Sequence, residues 1–439
     1  MTWNTVPLLL VLYGFFKDFK PGEPFLFKYQ TNFLNLTEKQ LNGEIYPYWT
    51  YSYLFTLIPI FLLTDLLLYK PILILESIGY MVFRTTLVFG SSILLQQIGM
   101  SFYGVASAAE IAFYSYTYAK VKKNEYKRLT SWTRASTMAG RTFGYLLSQT
   151  IVLTATGTYL TVNQISLISP LLVFIFGLCF PRIQLKSLVE RIKITADMER
   201  FHEPTTYVQY AKFRMQTLWT NTKQVYGIGF VRKWSLWWAM TTCMSLQVSA
   251  YSQTLWGEVQ KEETTLNGFA EATYTACAAI AIMLMNMLSI DWDKWGEAAL
   301  VLISSIDCAL LLLFSQAQTI YVIWNLAKKM ITESYGLIFG LNSFVALILQ
   351  ALLTMIIVDK RGFGMLVRSQ FLIYGIYHAV IAVIFLFSIA CNLMDHLRNR
   401  FAIHSFALHT MNQEKLLERL GQPVVTNSNP AFLRCISYR

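Results

Sequence analysis

The sequence predicts an all-α protein that crosses a membrane many times. Hydrophobic residues make up 55% of the 439-residue chain and charged residues only 14%, whereas a typical globular protein carries about 25% charge. So few charges cannot cover a water-facing surface of this size, and apolar runs of helical length recur along the chain. These observations exclude a soluble enzyme, a disordered scaffold and a disulfide-stapled secreted domain.

The apolar runs predict eleven full membrane spans, because a helix needs about 20 apolar residues to cross a bilayer. Six spans precede a basic segment and five follow it, at residues 4–19, 51–69, 72–94, 100–121, 134–156 and 159–180, then 235–254, 269–289, 296–315, 336–358 and 371–394. We therefore divide the chain into a first half (1–180), a connector (181–233), a second half (234–394) and a tail (395–439).

The basic residues predict the orientation of the chain. The loop at 120–134, the connector and the tail are each rich in Lys and Arg, and such segments stay in the cytoplasm. Six spans before the connector place the N-terminus there as well. The sequon residue Asn35 then lies outside the cell, where it could carry a glycan. A cytoplasmic tail requires an even number of spans, and the sequence predicts eleven. Either the tail lies outside despite its charge, or the apolar stretch 318–327 is a partial or re-entrant element, or a segment has been lost from the chain.

A charged residue inside a span is costly and therefore a candidate for function. Glu110 lies mid-span on a helical face that it shares with Ser107, Tyr114 and Thr117. That polar face should line the interior of the bundle, where Glu110 could contact a substrate. The alternative is an intramembrane ion pair with Arg141. Arg141 could instead bind an anionic substrate, or extend its charge to the membrane surface.

Several further residues have both a substrate-binding and a structural interpretation. Trp49, at the start of the second span, could hold a cation against its ring or belong to an interfacial aromatic belt. Glu23 could attract a cation to the outer end of the first span, or cap a solvated loop. Asn267 and Glu271 are one helical turn apart and could contact substrate from the second half, or form a solvated helix start.

The second half offers further polar candidates within its spans. Gln247 and Tyr251 are one turn apart and could line the cavity. Asp307 and His378 have no obvious partner in the sequence, and His378 could either shuttle protons or pack as a buried histidine.

The sequence contains no motif of the metalloprotease, P-loop or α/β-hydrolase type and no metal-ligand spacing. We therefore predict neither an enzyme nor a metal or cofactor site. The basic residues lie between spans, so the predicted partners are a small-molecule substrate and membrane lipid rather than nucleic acid.

Short motifs occur in a fixed order along residues 11–394. They are Gly22-Glu23-Pro24-Phe25, Glu44-Ile45-Tyr46-Pro47, Trp49-Thr50-Tyr51-Ser52-Tyr53, Leu63-Thr64-Asp65, Ala108-Ala109-Glu110-Ile111-Ala112, Trp234-Ser235-Leu236-Trp237-Trp238, Asn267-Gly268, Phe339-Gly340-Leu341-Asn342 and Val358-Asp359-Lys360-Arg361-Gly362. This ordered set resembles the reduced folate carrier and thiamine transporter family of solute carriers.

The resemblance implies a major-facilitator-like bundle, whose two halves rock about a site near the midplane and carry a B vitamin across the plasma membrane. The folate branch has an arginine at the position of Glu110 and a lysine at that of Gln350, whereas the thiamine branch has glutamate and glutamine. Both positions are thiamine-like in this chain, so thiamine is slightly preferred. Arg141 supports the alternative, which is a reduced folate carrier that uses this arginine for the anionic substrate.

Two departures from the family pattern qualify this expectation. Thiamine transporters usually have two tyrosines where this chain has Phe113 and Tyr114, so one hydroxyl is missing. The family's tenth span is missing near Trp324-Asn325. A non-transporting structural or regulatory homologue, or a truncated isoform, is therefore the second alternative.

Overall fold

The described part of the chain is almost entirely helical. The computed structural model describes residues 5–120, 125–183, 207–259, 266–285, 292–316 and 339–419. Within these ranges there is no strand, which confirms the predicted all-α class. The stretch 318–327 lies outside the described residues.

The first half contains eight α-helices among its described residues. They are α1 (Thr5–Lys17), α2 (Leu26–Asn32), α3 (Glu38–Gln40), α4 (Pro47–Leu66), α5 (Lys70–Phe89), α6 (Ile93–Lys120), α7 (Tyr126–Leu153) and α8 (Tyr159–Cys179). Pro47 and Pro71 occupy the first turns of α4 and α5, where a missing backbone N–H costs no hydrogen bond. The side chain of Thr158 caps α8, so the predicted spans begin at local signals in the sequence.

The connector and second half continue the helical pattern. The helices are α9 (Tyr207–Gly227), α10 (Gly229–Val259), α11 (Asn267–Met285), α12 (Trp292–Gln316), α13 (Phe339–Leu353) and α14 (Val367–Arg419). Helix α9 lies within the connector, and α14 continues beyond the last predicted span into the tail. A π-helical turn, Thr354–Val358, extends α13.

Four of the described helical segments are long and apolar enough to cross a membrane on length and composition alone. They are Lys70–Phe89, Tyr159–Cys179, Trp295–Gln316 and Val367–Met394. Helices α6, α7, α10 and α11 also have spanning length, between 19 and 31 residues. Their polar side chains lower the mean hydropathy, and several of those side chains belong to the candidate site.

A break in the helical path follows the helix of the first predicted span. Helix α1 ends at Lys17, and the chain re-enters a helical path only at a 3₁₀ turn, Glu23–Phe25, that leads into α2. Pro21 explains the break, because a proline disfavours a helical conformation at the preceding residue and cannot donate a helical hydrogen bond. The broken segment, residues 18–22, is mostly buried, and broken helices that line an interior site are typical of transporters.

The two halves meet tightly at one end of the bundle, which we call the closed end. Asn42 accepts a 2.9 Å hydrogen bond from Thr254, and Lys360 forms a 3.0 Å ion pair with Glu44. The exposed residue Asn35 lies in the same group of loops. The closed end is therefore the end that the basic-residue pattern predicts to be extracellular.

Candidate functional site

The end of α1 forms an acidic triad with two other helices of the first half. The ammonium of Lys17 lies 2.6 Å from Oε1 of Glu110 on α6 and 3.4 Å from Oε1 of Glu76 on α5. The hydroxyl of Tyr13 donates a 2.8 Å hydrogen bond to the other oxygen of Glu76. One lysine faces two carboxylates, so the acidic triad (Lys17, Glu76 and Glu110) carries a net negative charge.

A basic triad is centred on Asp18, the first residue of the broken segment. Asp18 accepts a 3.2 Å contact from Arg141 on α7 and another 3.2 Å contact from Lys20. Two cations face one carboxylate, so the basic triad (Asp18, Lys20 and Arg141) carries a net positive charge. The pairing of Glu110 with Arg141 that the sequence suggested is not found, because Lys17 pairs with Glu110 and Asp18 pairs with Arg141.

The two triads present opposite charges to the interior of the bundle. Glu110 and Arg141 each have a side chain 32% exposed, whereas Lys17, Glu76 and Asp18 are nearly inaccessible. Because Lys17 and Asp18 are consecutive, the two triads meet at the end of α1. We call their partly exposed members, Glu110 and Arg141, the acidic pole and the basic pole.

Trp49 lies against the same helix as Glu110. Its indole N–H donates a 3.1 Å hydrogen bond to Ser107, one turn from Glu110 on α6, and its ring is 5.8 Å from the ring of Tyr103. The contact holds the indole against α6, on the polar face predicted from the sequence. Tyr114, one turn further along that face, lies 5.5 Å from the ammonium of Lys17.

Glu23 lies near the closed end and has its own partner. Its carboxylate accepts a 2.7 Å hydrogen bond from Arg84 on α5, while 25% of the Glu23 side chain stays exposed. Asn267 of the second half donates a 3.1 Å hydrogen bond to the adjacent carbonyl of Pro24. The start of α11 therefore packs against the chain just after the break in α1.

Glu271 brings the second half close to the basic pole. Its carboxylate accepts a 3.1 Å hydrogen bond from Gln253 on α10. It also lies within electrostatic range of Glu23 and Arg141. Helix α11 thus places Glu271 in the same interior space as residues from α7 and the 3₁₀ turn.

The remaining predicted residues of the second half form a buried polar group. Gln247 accepts a 3.1 Å hydrogen bond from Thr354, and Gln350 lies 3.5 Å from the hydroxyl of Thr50 on α4. Tyr251 is fully buried, with its ring 6.3 Å from that of Tyr46. These residues therefore lie at the contact between the halves.

Four amides of the second half keep a buried polar atom without a hydrogen-bond partner in the described structure. They are Nε2 of Gln247, Oε1 of Gln253, Oδ1 of Asn267 and Oε1 of Gln350. Because buried polar atoms in folded proteins nearly always have partners, these atoms are candidates for hydrogen bonds to a substrate.

Asp307 and His378, which lacked a partner in the sequence, face one another. Nδ1 of His378 lies 3.9 Å from Oδ2 of Asp307, and both side chains are buried between α12 and α14. The pair is part of the second half's own packing and lies apart from the two triads.

Sequence patterns alone did not single out five charged residues of this region as site residues, namely Lys17, Asp18, Lys20, Glu76 and Arg84. Charge within an apolar run was the available signal, since Glu76 and Arg84 both fall in the predicted span 72–94. Only the three-dimensional packing shows which of these charges pair with one another.

The chain matches the family model described as "Reduced folate carrier" over residues 1–373. It is 38% identical over 437 residues to Folate transporter 1 of Caenorhabditis elegans, with 91% of this chain and 95% of the relative covered. It is also 34% identical over 457 residues to human Thiamine transporter 1, with 90% of this chain and 91% of the relative covered.

Solved structures show the same fold at low sequence identity. The partially occluded, inward-open xylose transporter XylE from E. coli matches with a TM-score of 0.56 at 12% identity, over 86% of this chain and 97% of that one. A POT family transporter in complex with a thioalcohol-conjugated peptide matches with a TM-score of 0.56 at 14% identity, over 87% and 95%. These neighbours are transporters rather than enzymes, and the fold is that of a polytopic helical membrane transporter. The chain belongs to the reduced folate carrier family.

Proposed function

We propose that this chain carries a B vitamin across the plasma membrane by alternating access, with reduced folate as the favoured substrate. The observation that carries the proposal is the pair of opposite poles, Glu110 and Arg141, whose partners Lys17 and Asp18 are consecutive in the chain. A reduced folate has an N–H-rich pteridine ring at one end and carboxylates at the other. Carboxylate pairing with a guanidinium is strong and directional, so Arg141 suits the anionic end and Glu110 the ring.

Some of the relatives are named for folate. Folate transporter 1 of C. elegans is named for folate, and a second relative from that organism, at 36% identity, is named Folate-like transporter 3. These names fit an anion-binding residue in the interior of this chain.

Thiamine is the second candidate, and it is the one that the sequence slightly preferred. Glu110, Gln350 and the ring of Trp49 favour a cation with an aminopyrimidine, and human Thiamine transporter 1 is also a relative. The contact between Lys17 and Glu110 argues against it, because a lysine 2.6 Å away weakens the attraction of the carboxylate for another cation.

We further propose that the closed end faces the outside of the cell. The N-terminus, the 120–134 loop and the connector would then be cytoplasmic, and Asn35 would be available for glycosylation. Asn35 is exposed in a left-handed conformation with φ of 55°, which asparagine tolerates better than most residues.

Uptake by cells that express this chain tests the proposal. Radiolabelled reduced folate and thiamine would be supplied separately, and each would be competed with an excess of the other, with surface expression measured in parallel. We expect saturable folate uptake that Arg141→Ala abolishes. Arg368→Ala is the matched control, because it removes an arginine that pairs with Glu258 between α10 and α14.

Other outcomes are equally informative. Saturable thiamine uptake that depends on Glu110 but not on Arg141 would establish the second candidate. Absence of uptake of either vitamin, with normal surface expression, would favour a non-transporting homologue.

A further inference from the structure

The lysine of the acidic triad is sealed from the interior space. The side chains of Lys17 and Glu76 are both 0% exposed, so Glu110 is the member of the triad that a substrate can reach. The ammonium of Lys17 also lies over the face of the Phe113 ring, 5.0 Å from the ring centre. A buried ammonium requires a carboxylate partner, because removal of one partner leaves an uncompensated charge.

The charge that a substrate meets at Glu110 depends on how Lys17 divides its ion pairing between Glu110 and Glu76. Lys17 lies closer to Glu110 than to Glu76, and Glu76 receives a second stabilising contact from the hydroxyl of Tyr13. Glu76 thus competes with Glu110 for a lysine that can approach both. The result is a carboxylate at Glu110 that is partly, but not fully, neutralised.

We infer that Lys17 and Glu76 are positioning residues that set the charge selectivity of the substrate site through Glu110. This inference rests on the proposed function, since it concerns the same site. Without the charge of Glu76, Lys17 would neutralise Glu110 alone. Without both charges, Glu110 would be a bare carboxylate facing the substrate.

The inference predicts an ordered series of affinities for a cation. Binding of thiamine should be weakest in Glu76→Gln, intermediate in the unaltered chain and tightest in the double variant Lys17→Met/Glu76→Gln. The two ends of the series should differ by about tenfold or more, because a full charge at short range is gained or lost. The affinity for reduced folate should change less along this series, because Glu110 contacts its neutral ring and its anionic end binds at the opposite pole.

The experiment measures the dissociation constants of thiamine and of a reduced folate for the purified variants. The control is Lys233→Met/Glu297→Gln, which removes an ion pair of the same 3.4 Å length between α10 and α12 that is more exposed and lies outside the site. The thermal midpoint of each variant shows whether a change in affinity comes from a loss of folding. Equal thiamine affinities across the series, or the reverse order, would overturn the inference, as would a parallel rise for both vitamins.

A second readout does not require either vitamin. Carbodiimide labelling of Glu110, measured by mass spectrometry, should be least in Glu76→Gln and greatest in Lys17→Met/Glu76→Gln, because pairing with Lys17 protects the carboxylate. Equal labelling would overturn the inference. Failure of the proposed function would look different, since the unaltered chain would reach the surface and take up neither vitamin.

Discussion

The hydroxyl of Tyr51 on α4 donates a 2.8 Å hydrogen bond to Oδ2 of Asp359, which follows α13 and its π-helical turn. The bond therefore joins the two halves of the bundle at the closed end. An alternating-access carrier must break this contact whenever the closed end opens. The strength of the Tyr51–Asp359 bond should thus influence how often the carrier opens.

Tyr51→Phe should loosen the closed end. A hydrogen bond to a charged group contributes about 1.5–3 kcal/mol, so its loss should shift the equilibrium towards the open state by roughly tenfold or more. A cysteine at the buried neighbour Thr50 would report this change as faster labelling by a membrane-impermeant thiol reagent. Tyr48→Phe, at an exposed position nearby, is the control. Equal labelling in both variants would show that the bond does not hold the closed end.

Lys17→Met should destabilise the protein when it is introduced alone. It leaves Glu76 buried without its cation, and breaking a buried pair in this way costs about 3–5 kcal/mol. Adding Glu76→Gln should recover most of that loss, because the remaining buried charge is then removed. Thermal denaturation of the purified single and double variants checks this, and an additive effect of the two substitutions would contradict the pairing.

Gly104→Ala should disturb the contact between α4 and α6 that positions Trp49. A Cβ at Gly104 would come within 2.7 Å of the carbonyl oxygen of Trp49, and overpacking of this kind costs about 1–3 kcal/mol. Gly177→Ala is the control, because the nearest neighbours of its Cβ would be 3.9 Å away. The thermal midpoint should fall for the first variant and stay level or rise for the second.

Gln350→Leu should weaken substrate binding with little effect on stability. The unpartnered oxygen of Gln350 is a candidate contact, and one buried hydrogen bond to a ligand contributes about 1–3 kcal/mol. We expect KM for the transported vitamin to rise about tenfold or more. Gln316→Leu, at an exposed position on α12, should leave KM unchanged. An unaltered KM in both variants would exclude Gln350 from the site.

The fold was largely predictable because its signals are local. The lengths of the apolar runs predicted the helices of both halves. Pro47 and Pro71 lie in the first turns of α4 and α5, where proline is favoured. The end of α1 was predicted to within two residues, at 19 rather than at Lys17. The buried segment that follows it was not predicted, although Pro21 and Pro24 are visible in the sequence.

The candidate site was only partly predictable. The polar face around Glu110 follows from helical spacing, and the structure keeps Ser107 and Tyr114 on it. The partners of Glu110 and Arg141 do not follow from spacing, because pairing depends on how α1 is placed between α5, α6 and α7. Helix placement depends on tertiary packing, and the spacing of residues within one helix carries no information about it.

Removal of the guanidinium of the basic triad tests the account most directly. The variant Arg141→Gln takes away this cation, and Asp18 keeps its ion pair with Lys20, so no buried charge is left unpaired. The account predicts at least about a hundredfold loss of affinity for reduced folate, with thiamine binding unchanged or tighter and the thermal midpoint preserved. Folate binding equal to that of the unaltered chain would contradict the assignment of Arg141 as the anion-binding pole.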